Sequence, residues 1–273
     1  VLQPVDVDAP ARISIAEEGG LRASIAMERK LSNSVFSQKI VLRANSRRLD
    51  FETHVDWNEL HRLLKVSFPI NVEATEAINE IQFGYITRPT HRSRSYDTDR
   101  FEVCQQRYSA LCDQTHGAAV LNDCKYGISQ IGSTLQLTLL RAAASPEMRA
   151  DNGEHTFTYA FAAWEGPFLS SPVVKEAYAL NVPLQLAEGS LKAFSAFSLN
   201  QENVFIDTVK PAEDGSGDVI LRLYEAKKGD TACCLHIGIP AGQVFDCDML
   251  ENIREGLAIE NGNVPLHFRP FEV

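Results

Sequence analysis

The sequence predicts an all-β protein, a large antiparallel β-sandwich with a smaller β module at its C-terminal end. Three observations lead there. Short runs with apolar or β-branched residues at every second position recur along the chain, the pattern of half-buried strands. Clusters of Gly, Asn, Asp and Pro separate those runs with turn chemistry. No coiled-coil heptads, low-complexity tracts or internal repeats interrupt them. At 273 residues the chain can bury a sizeable core, and sandwiches of that length are often one domain.

The stretch Arg47 to Pro69, RRLDFETHVDWNELHRLLKVSFP, organises the prediction. Leu49-Phe51-Thr53-Val55 and Leu64-Val66-Phe68 both alternate with polar residues, so each reads as a strand. Asp56-Trp57-Asn58-Glu59 between them supplies a turn, and the two strands are expected to pair as antiparallel neighbours. Trp57, flanked by carboxylates, suits either a sugar platform or a plug closing the sandwich. Aromatic rings mostly bury their area, which favours the plug.

Taken in order, residues 1–12 read as a linker or frayed edge, 13–190 as the main sandwich, and 191–273 as strands that complete it or form a small module of their own. Ile13 to Ile15 and Leu21 to Leu31, with Gly19-Gly20 between, form a hairpin signature. Val35 to Leu42 gives a strand turned by Asn45-Ser46. Ala74 to Ile86 reads as one strand, because Ile78, Ile81, Phe83 and Tyr85 are β-formers. Arg88 to Asp97 is the longest polar loop, with Pro89 holding Arg88 extended. Phe101 to Tyr108 returns to strand. Gly117 to Leu121 ends in the polar turn Asn122 to Gly127, and Leu135 to Leu140 is a strand ended by Arg141. Asp151 to His155 turns into the strand Thr156 to Phe161, and Trp164 to Pro172 reads as loop. Val173 to Leu180 suits an edge strand or a helical turn. Ala193 to Leu199, Val204 to Lys210, Val219 to Glu225, Leu235 to Ile239, Val244-Phe245 and Val264 to Phe268 complete the set of strands.

Charge and composition exclude several functions. A formal net charge of −10 argues against nucleic acid, whose readers present basic faces. The basic clusters Arg43–Arg48 and Arg88–Arg94 are read as charges on solvated strand faces. No apolar run approaches the roughly 20 residues of a membrane span. Val1-Leu2-Gln3-Pro4 has no features of a secretory signal, and the chain reads as a piece of something longer. Cys104, Cys112, Cys124, Cys233, Cys234 and Cys247 include no C-x-x-C pair and are read as reduced thiols in core positions of a cytoplasmic protein. No Asn-X-Ser/Thr acceptor occurs.

Catalytic signatures are sparse. The seven histidines include no H-E-x-x-H, and there is no G-x-S-x-G elbow, P-loop or G-x-G-x-x-G. Asp50/Glu52, Asp97/Asp99 and Asp246/Asp248 put carboxylates on one strand face, as a glycosidase needs, but such pairs far more often sit on solvated sheets. The residues by themselves therefore lead to a β-sandwich with no assigned ligand.

Several longer segments add a resemblance. RRLDFETHVDWNELHRLLKVSFP, EIQFGYITRPTH, RFEV, LNDCKYG, LQLTLLR, DNGEHTFTYAF, AYALNVPL, VKPAEDGSGDVILRLYE and FRPFEV occur in the order and spacing of the C-terminal region of glycoside hydrolase family 38, the α-mannosidases. The chain resembles that family from about Ala11 onward. The resemblance implies a supersandwich of the galactose-mutarotase-like kind. It implies hydrolysis of terminal α-mannosides by a carboxylate nucleophile with zinc, both in an N-terminal catalytic domain whose motifs are absent here. No catalytic residue and no metal ligand is therefore assigned to this chain. The implied partners are its own N-terminal catalytic and helical domains and a mannose-containing oligosaccharide. Loops of the sandwich can lend polar groups to the substrate rim, and Arg88, His91, Asn122, Asp123, Tyr126 and Arg141 are the candidates. For each, the plainer role is holding a turn or pairing with a carboxylate. The alternative function is a free-standing carbohydrate-binding module using Trp57, Trp164 or Tyr126. A sheet edge left unpaired is also expected, which invites homo-oligomers.

Overall fold

A computed structural model describes every residue except Val1, Leu2, Asp6 and Asp8, so part of the 1–12 segment lies outside the described residues. The chain divides into two compact units, Val1–Ile81 with Ile86–Pro183, and Gln82–Tyr85 with Leu184–Val273. The first unit holds two antiparallel sheets.

Its strands begin with β1 (Arg12–Glu17), β2 (Arg22–Leu31), β3 (Ser34–Arg43), β4 (Arg48–Trp57), β5 (Leu63–Pro69), β6 (Glu76–Ile81) and β7 (Gly84–Pro89). They continue with β8 (Val103–Cys104), β9 (Tyr108–Cys112), β10 (His116–Asn122), β11 (Gly127–Ile131), β12 (Thr134–Arg141) and β13 (Gly153–Glu165), followed by helix α1 (Val173–Asn181). One sheet has the order β1-β2-β3-β4-β13-β10-β9-β6-β7 and the other β5-β12-β11-β8.

Strands β4 and β5 are not the expected neighbours. β4 pairs with β3 and β13, whereas β5 pairs with β12 in the opposite sheet. Two runs with the same alternation can meet edge to edge or face to face, and periodicity does not distinguish the two. Here they meet face to face through aromatic rings. Phe68 of β5 stacks on Phe161 at 5.3 Å and meets Phe51 and Tyr159 edge-on at 5.8 and 6.2 Å. Such pairs contribute roughly 0.5–1.5 kcal/mol each beyond their buried area. Around them Val55, Leu111, Val120, Ile128, Leu135 and Leu137 close the core. Trp57 is a buried member of the same cluster, so its ring is a plug and not a platform.

The connection from β4 to β5 is pinned by Glu59. This buried carboxylate accepts hydrogen bonds from the Asn33 N–H at 2.9 Å and the Ser34 hydroxyl at 2.8 Å. Burial is tolerated because both donors are fixed by the β2–β3 hairpin.

Other elements also differ from the sequence reading. Ala74 to Ile86 is two strands, β6 and β7, turning at Gln82-Phe83; Phe83 takes φ +56°, a conformation usually signalled by Gly or Asn. Of Phe101 to Tyr108 only Val103–Cys104 is strand before β9 starts. Trp164 belongs to β13 and is buried, where the sequence suggested loop. Strands β9 and β11 are additional to those the sequence indicates: β9 begins at Tyr108, where the strand reading from Phe101 stops, and β11 begins at Gly127, directly after the polar turn. Val173 to Leu180 resolves as helix, because Val173, Val174 and Ala177 form one buried stripe. The cysteines are all free, but Cys233 alone is buried, and Cys104 and Cys124 are exposed.

The Arg43–Arg48 cluster is an ion-pair network and only partly solvated. Buried Asp50 contacts Arg43, and its Oδ1 accepts from Arg48 Nε at 2.6 Å. Arg48 also donates to the Glu176 carbonyl at 2.7 Å, fastening α1 to the sheet. On the same helix Tyr178 lies 3.9 Å under the Arg107 guanidinium, which pairs with buried Glu80 at 2.6 Å.

At the outer edge of the large sheet, β1 exposes Ile13 and Ile15. Ile15 stands opposite Ile25 in the β1–β2 register, and Ile25 is exposed as well. The core-facing side of the sheet thus continues past the small sheet as an apolar strip.

The second unit contains β14 (Phe197–Leu199), β15 (Val204–Pro211), β16 (Val219–Glu225), β17 (Thr231–Ile237), β18 (Val244–Cys247), β19 (Ile253–Leu257) and β20 (Asn263–Phe268). β14-β17-β20 form a sheet, and β15-β16 and β18-β19 are two-stranded ribbons. Val204, Cys233, Leu235, Val264 and Phe268 make its core. Glu225 is wholly buried and accepts from Asn203 Nδ2, the Lys227 N–H and the Phe271 N–H at 2.9, 2.8 and 3.0 Å, which ties down the C-terminal FRPFEV segment.

Two predictions follow from these contacts. A Cβ on Gly117 would stand 2.2 Å from the Trp164 ring and 2.6 Å from Cys112 Cβ. Gly117→Ala is therefore expected to cost about 2 kcal/mol by overpacking, read as a lower Tm; an unchanged Tm would refute this packing. Asp113 caps the β9–β10 hairpin, and the Thr115 hydroxyl, then the Thr115 and His116 N–H groups, hold its carboxyl down at about 2. Its folded value lies below the ordinary carboxylate value of about 3.9, so its stabilisation is present above that pH and is lost as pH falls toward 2. Asp113→Ala should lower Tm at neutral pH, with the gap from wild type closing toward pH 2; a gap independent of pH would contradict the capping role.

Candidate functional site

Three connections enter the small sheet from the large one: 58–62 before β5, 90–102 before β8, and 123–126 before β11. Residues from all three, with Arg141, Ala142 and Ala143 at the exit from β12, line one groove of about 590 Å³. Its wall includes His61, Arg62, Phe101, Glu102, Cys104 and Tyr126.

Backbone pairing fixes the walls. The His61 N–H donates to Ala142 O at 2.7 Å, and the Ala142 N–H returns to Arg62 O at 2.8 Å. The Gln105 N–H donates to Tyr126 O at 2.9 Å. His61 takes φ +52°, an uncommon left-handed conformation that turns the chain sharply into β5. Glu102 is anchored on the sheet by Lys65 Nζ at 3.1 Å and by the Thr138 hydroxyl at 2.9 Å. A Cβ at Gly127 would meet Glu102 Oε1 at 2.4 Å, so glycine leaves room for that carboxylate.

The six candidates from the sequence divide between this groove and the turns around it. Tyr126 and Arg141 line it, and Tyr126 is 57 % exposed. Arg141 donates its backbone N–H to Asp151 at 2.8 Å, while its guanidinium has no hydrogen bond or ion pair among the described residues. Arg88 lies behind the wall, with Nη2 3.9 Å from Cys104 Sγ; burial pushes its guanidinium down from the usual arginine value. His91 contacts the Ser93 hydroxyl at 3.0 Å and does not line the groove. Asn122 is buried, donates to Gln106 O at 2.9 Å and accepts from the Lys125 N–H at 2.6 Å. Asp123 accepts from the Thr158 N–H at 2.7 Å. Asn122 and Asp123 thus hold the turn that presents Tyr126.

Sequence reasoning passed over His61, Arg62 and Phe101. Arg62 and His61 stood inside a stretch read as a simple hairpin, and Phe101 was assigned to a strand. The adjacent His61-Arg62 pair just after a polar turn was the available signal.

Of the aromatic residues considered for sugar binding, Trp57 and Trp164 are buried, so Tyr126 alone is presented. Among the described residues no three His, Cys, Asp or Glu side chains form a group able to hold a metal ion. Among the described residues no helix is long and apolar enough to cross a membrane.

Comparison with known proteins agrees with this architecture. The sequence profile of the glycosyl hydrolases family 38 C-terminal domain matches residues 2–149, and that of the family 38 C-terminal beta sandwich domain matches residues 203–273. Alpha-mannosidase 2C1 of Homo sapiens is 41% identical over 270 residues, covering 96% of this chain and 26% of that protein. Alpha-mannosidase G of Dictyostelium discoideum is 38% identical over 251 residues, covering 88% and 23%. The crystal structure of an alpha-mannosidase from Enterococcus faecalis V583 superposes with a TM-score of 0.79 at 18% identity, over 97% of this chain and 34% of that one, a likeness of fold. The chain spans about a quarter of the length of these curated relatives. With a family profile over more than half of its residues and collinear relatives over nearly all of them, the chain belongs to glycosyl hydrolase family 38, as its C-terminal β-sandwich region.

Proposed function

We propose that this chain is the non-catalytic C-terminal part of an enzyme that hydrolyses terminal α-mannosides, supporting the fold and the substrate rim of an attached N-terminal catalytic domain. The observation that carries the reading is the apolar strip of Ile13, Ile15 and Ile25 at the open edge of the large sheet. Exposed apolar area of this kind marks a covered interface, and a helical or catalytic segment of the same protein is its fitting partner. A second copy pairing through β1, giving a homo-oligomer, is the competing occupant of that edge.

A free-standing carbohydrate-binding module is disfavoured, because it needs a row of accessible rings and Trp57 and Trp164 are both buried. The zinc implied by the family resemblance is assigned, as part of the proposal, to the N-terminal catalytic domain; among the described residues no three His, Cys, Asp or Glu side chains form a group able to hold it. A cytoplasmic setting, acting on mannose-containing oligosaccharides, is part of the proposal; the six free cysteines support it. Among the rim candidates, Arg141 and Tyr126 are the strongest, since they line the groove and are not needed to hold a turn.

Hydrolysis of a chromogenic α-mannoside, with zinc present, by the full-length protein and by the 273-residue chain tests the reading. Turnover is expected from the full-length protein alone. Turnover by the 273-residue chain would overturn the non-catalytic role. In the full-length protein Arg141→Ala should reduce activity about tenfold, the scale of one lost charge-assisted contact, at unchanged Tm; full activity would remove Arg141 from the rim.

A further inference from the structure

We propose that the groove between His61, Arg62, Phe101, Tyr126 and Arg141 binds a saccharide that carries an oxyanion, a phosphate or a carboxylate. The proposal rests on the mannoside reading above and adds the charge of the ligand. Arg62 and Arg141 both line the groove, and neither guanidinium has a hydrogen bond or ion pair among the described residues. What sets them apart is that both stand on one groove, 79 positions apart in sequence, with no carboxylate between them left to pair. Glu102 is the acid in the wall, and Lys65 and Thr138 already hold it. His61 adds a third hydrogen-bonding group, and Arg88 stands behind Cys104. The groove is therefore a local cationic site in an acidic protein.

Charge alone would suit any anion. Phe101 and Tyr126, each more than half exposed, narrow the ligand to one with an apolar face. Aromatic rings left in water beside guanidiniums suit a pyranose, whose C–H face stacks on a ring while an oxyanion takes a paired N–H fork. An acidic peptide offers the anion without the flat face.

Binding to the full-length protein is measured by calorimetry with mannose 6-phosphate, glucuronic acid, mannose and inorganic phosphate. Mannose 6-phosphate or glucuronic acid is expected to bind at least about tenfold tighter than mannose, with the preferred one identifying phosphate or carboxylate. Arg62→Gln with Arg141→Gln should abolish that preference. Tyr126→Ala should weaken the anionic sugar and leave inorganic phosphate unchanged. Equal binding of inorganic phosphate and the anionic sugars would mean an adventitious ion only, and would overturn the saccharide assignment. Equal binding of mannose and the anionic sugars, or no binding of any probe, would overturn the proposal. Hydrolysis of the chromogenic α-mannoside by the same preparation reports separately on the mannoside reading, so failure of the groove and failure of that reading remain distinct.

Discussion

The stacking of Phe68 against Phe161, Phe51 and Tyr159 sets the geometry on which the first unit depends. It holds β5 across from β4 and β13, so the chain must pass repeatedly from one sheet to the other. Each passage carries polar backbone near an apolar core, and each needs its own partners. Glu59 answers that need before β5, and Asn122 does so before β11. The groove lies where three such passages arrive together. Its polar groups are gathered there because crossings are where polar residues are required.

The outer side of the large sheet shows the complementary arrangement. Arg48, paired with buried Asp50 and with Glu176, joins the sheet to α1, while Arg107, paired with Glu80, lies over Tyr178 two residues further along the same helix. Removing one partner of such a pair leaves a buried charge without compensation, a far larger cost than losing a surface pair. The i, i+2 carboxylates Asp50 and Glu52 are part of this scaffold. Asp50 is bound to two arginines and Glu52 to Arg22, so both carboxylates serve ion pairs of the sheet.

Family membership and groove answer different questions. The profile matches and collinear relatives establish the family, and the groove is where we propose that the chain meets a ligand. Among the six residues chosen from the sequence, Asn122 and Asp123 shape the turn, whereas Tyr126 and Arg141 are presented by it. Separating those roles required knowing which atoms already had partners.

Most of the strands, the hairpin between β1 and β2, the turn before β11 and the family were legible in the sequence, because alternation, Gly-Gly and long collinear motifs are local signals. The burial of Trp57 followed from its type. The pairing of β4 and β5 was not legible, since alternation fixes which residues share a face and says nothing about which strand that face meets. The β6–β7 turn was hidden because Phe83 adopts a conformation that its side chain does not advertise. The grouping of His61, Arg62, Phe101, Tyr126 and Arg141 was decided by tertiary structure alone: residues up to 80 positions apart meet only once the sheet crossings have brought their loops to one end of the small sheet.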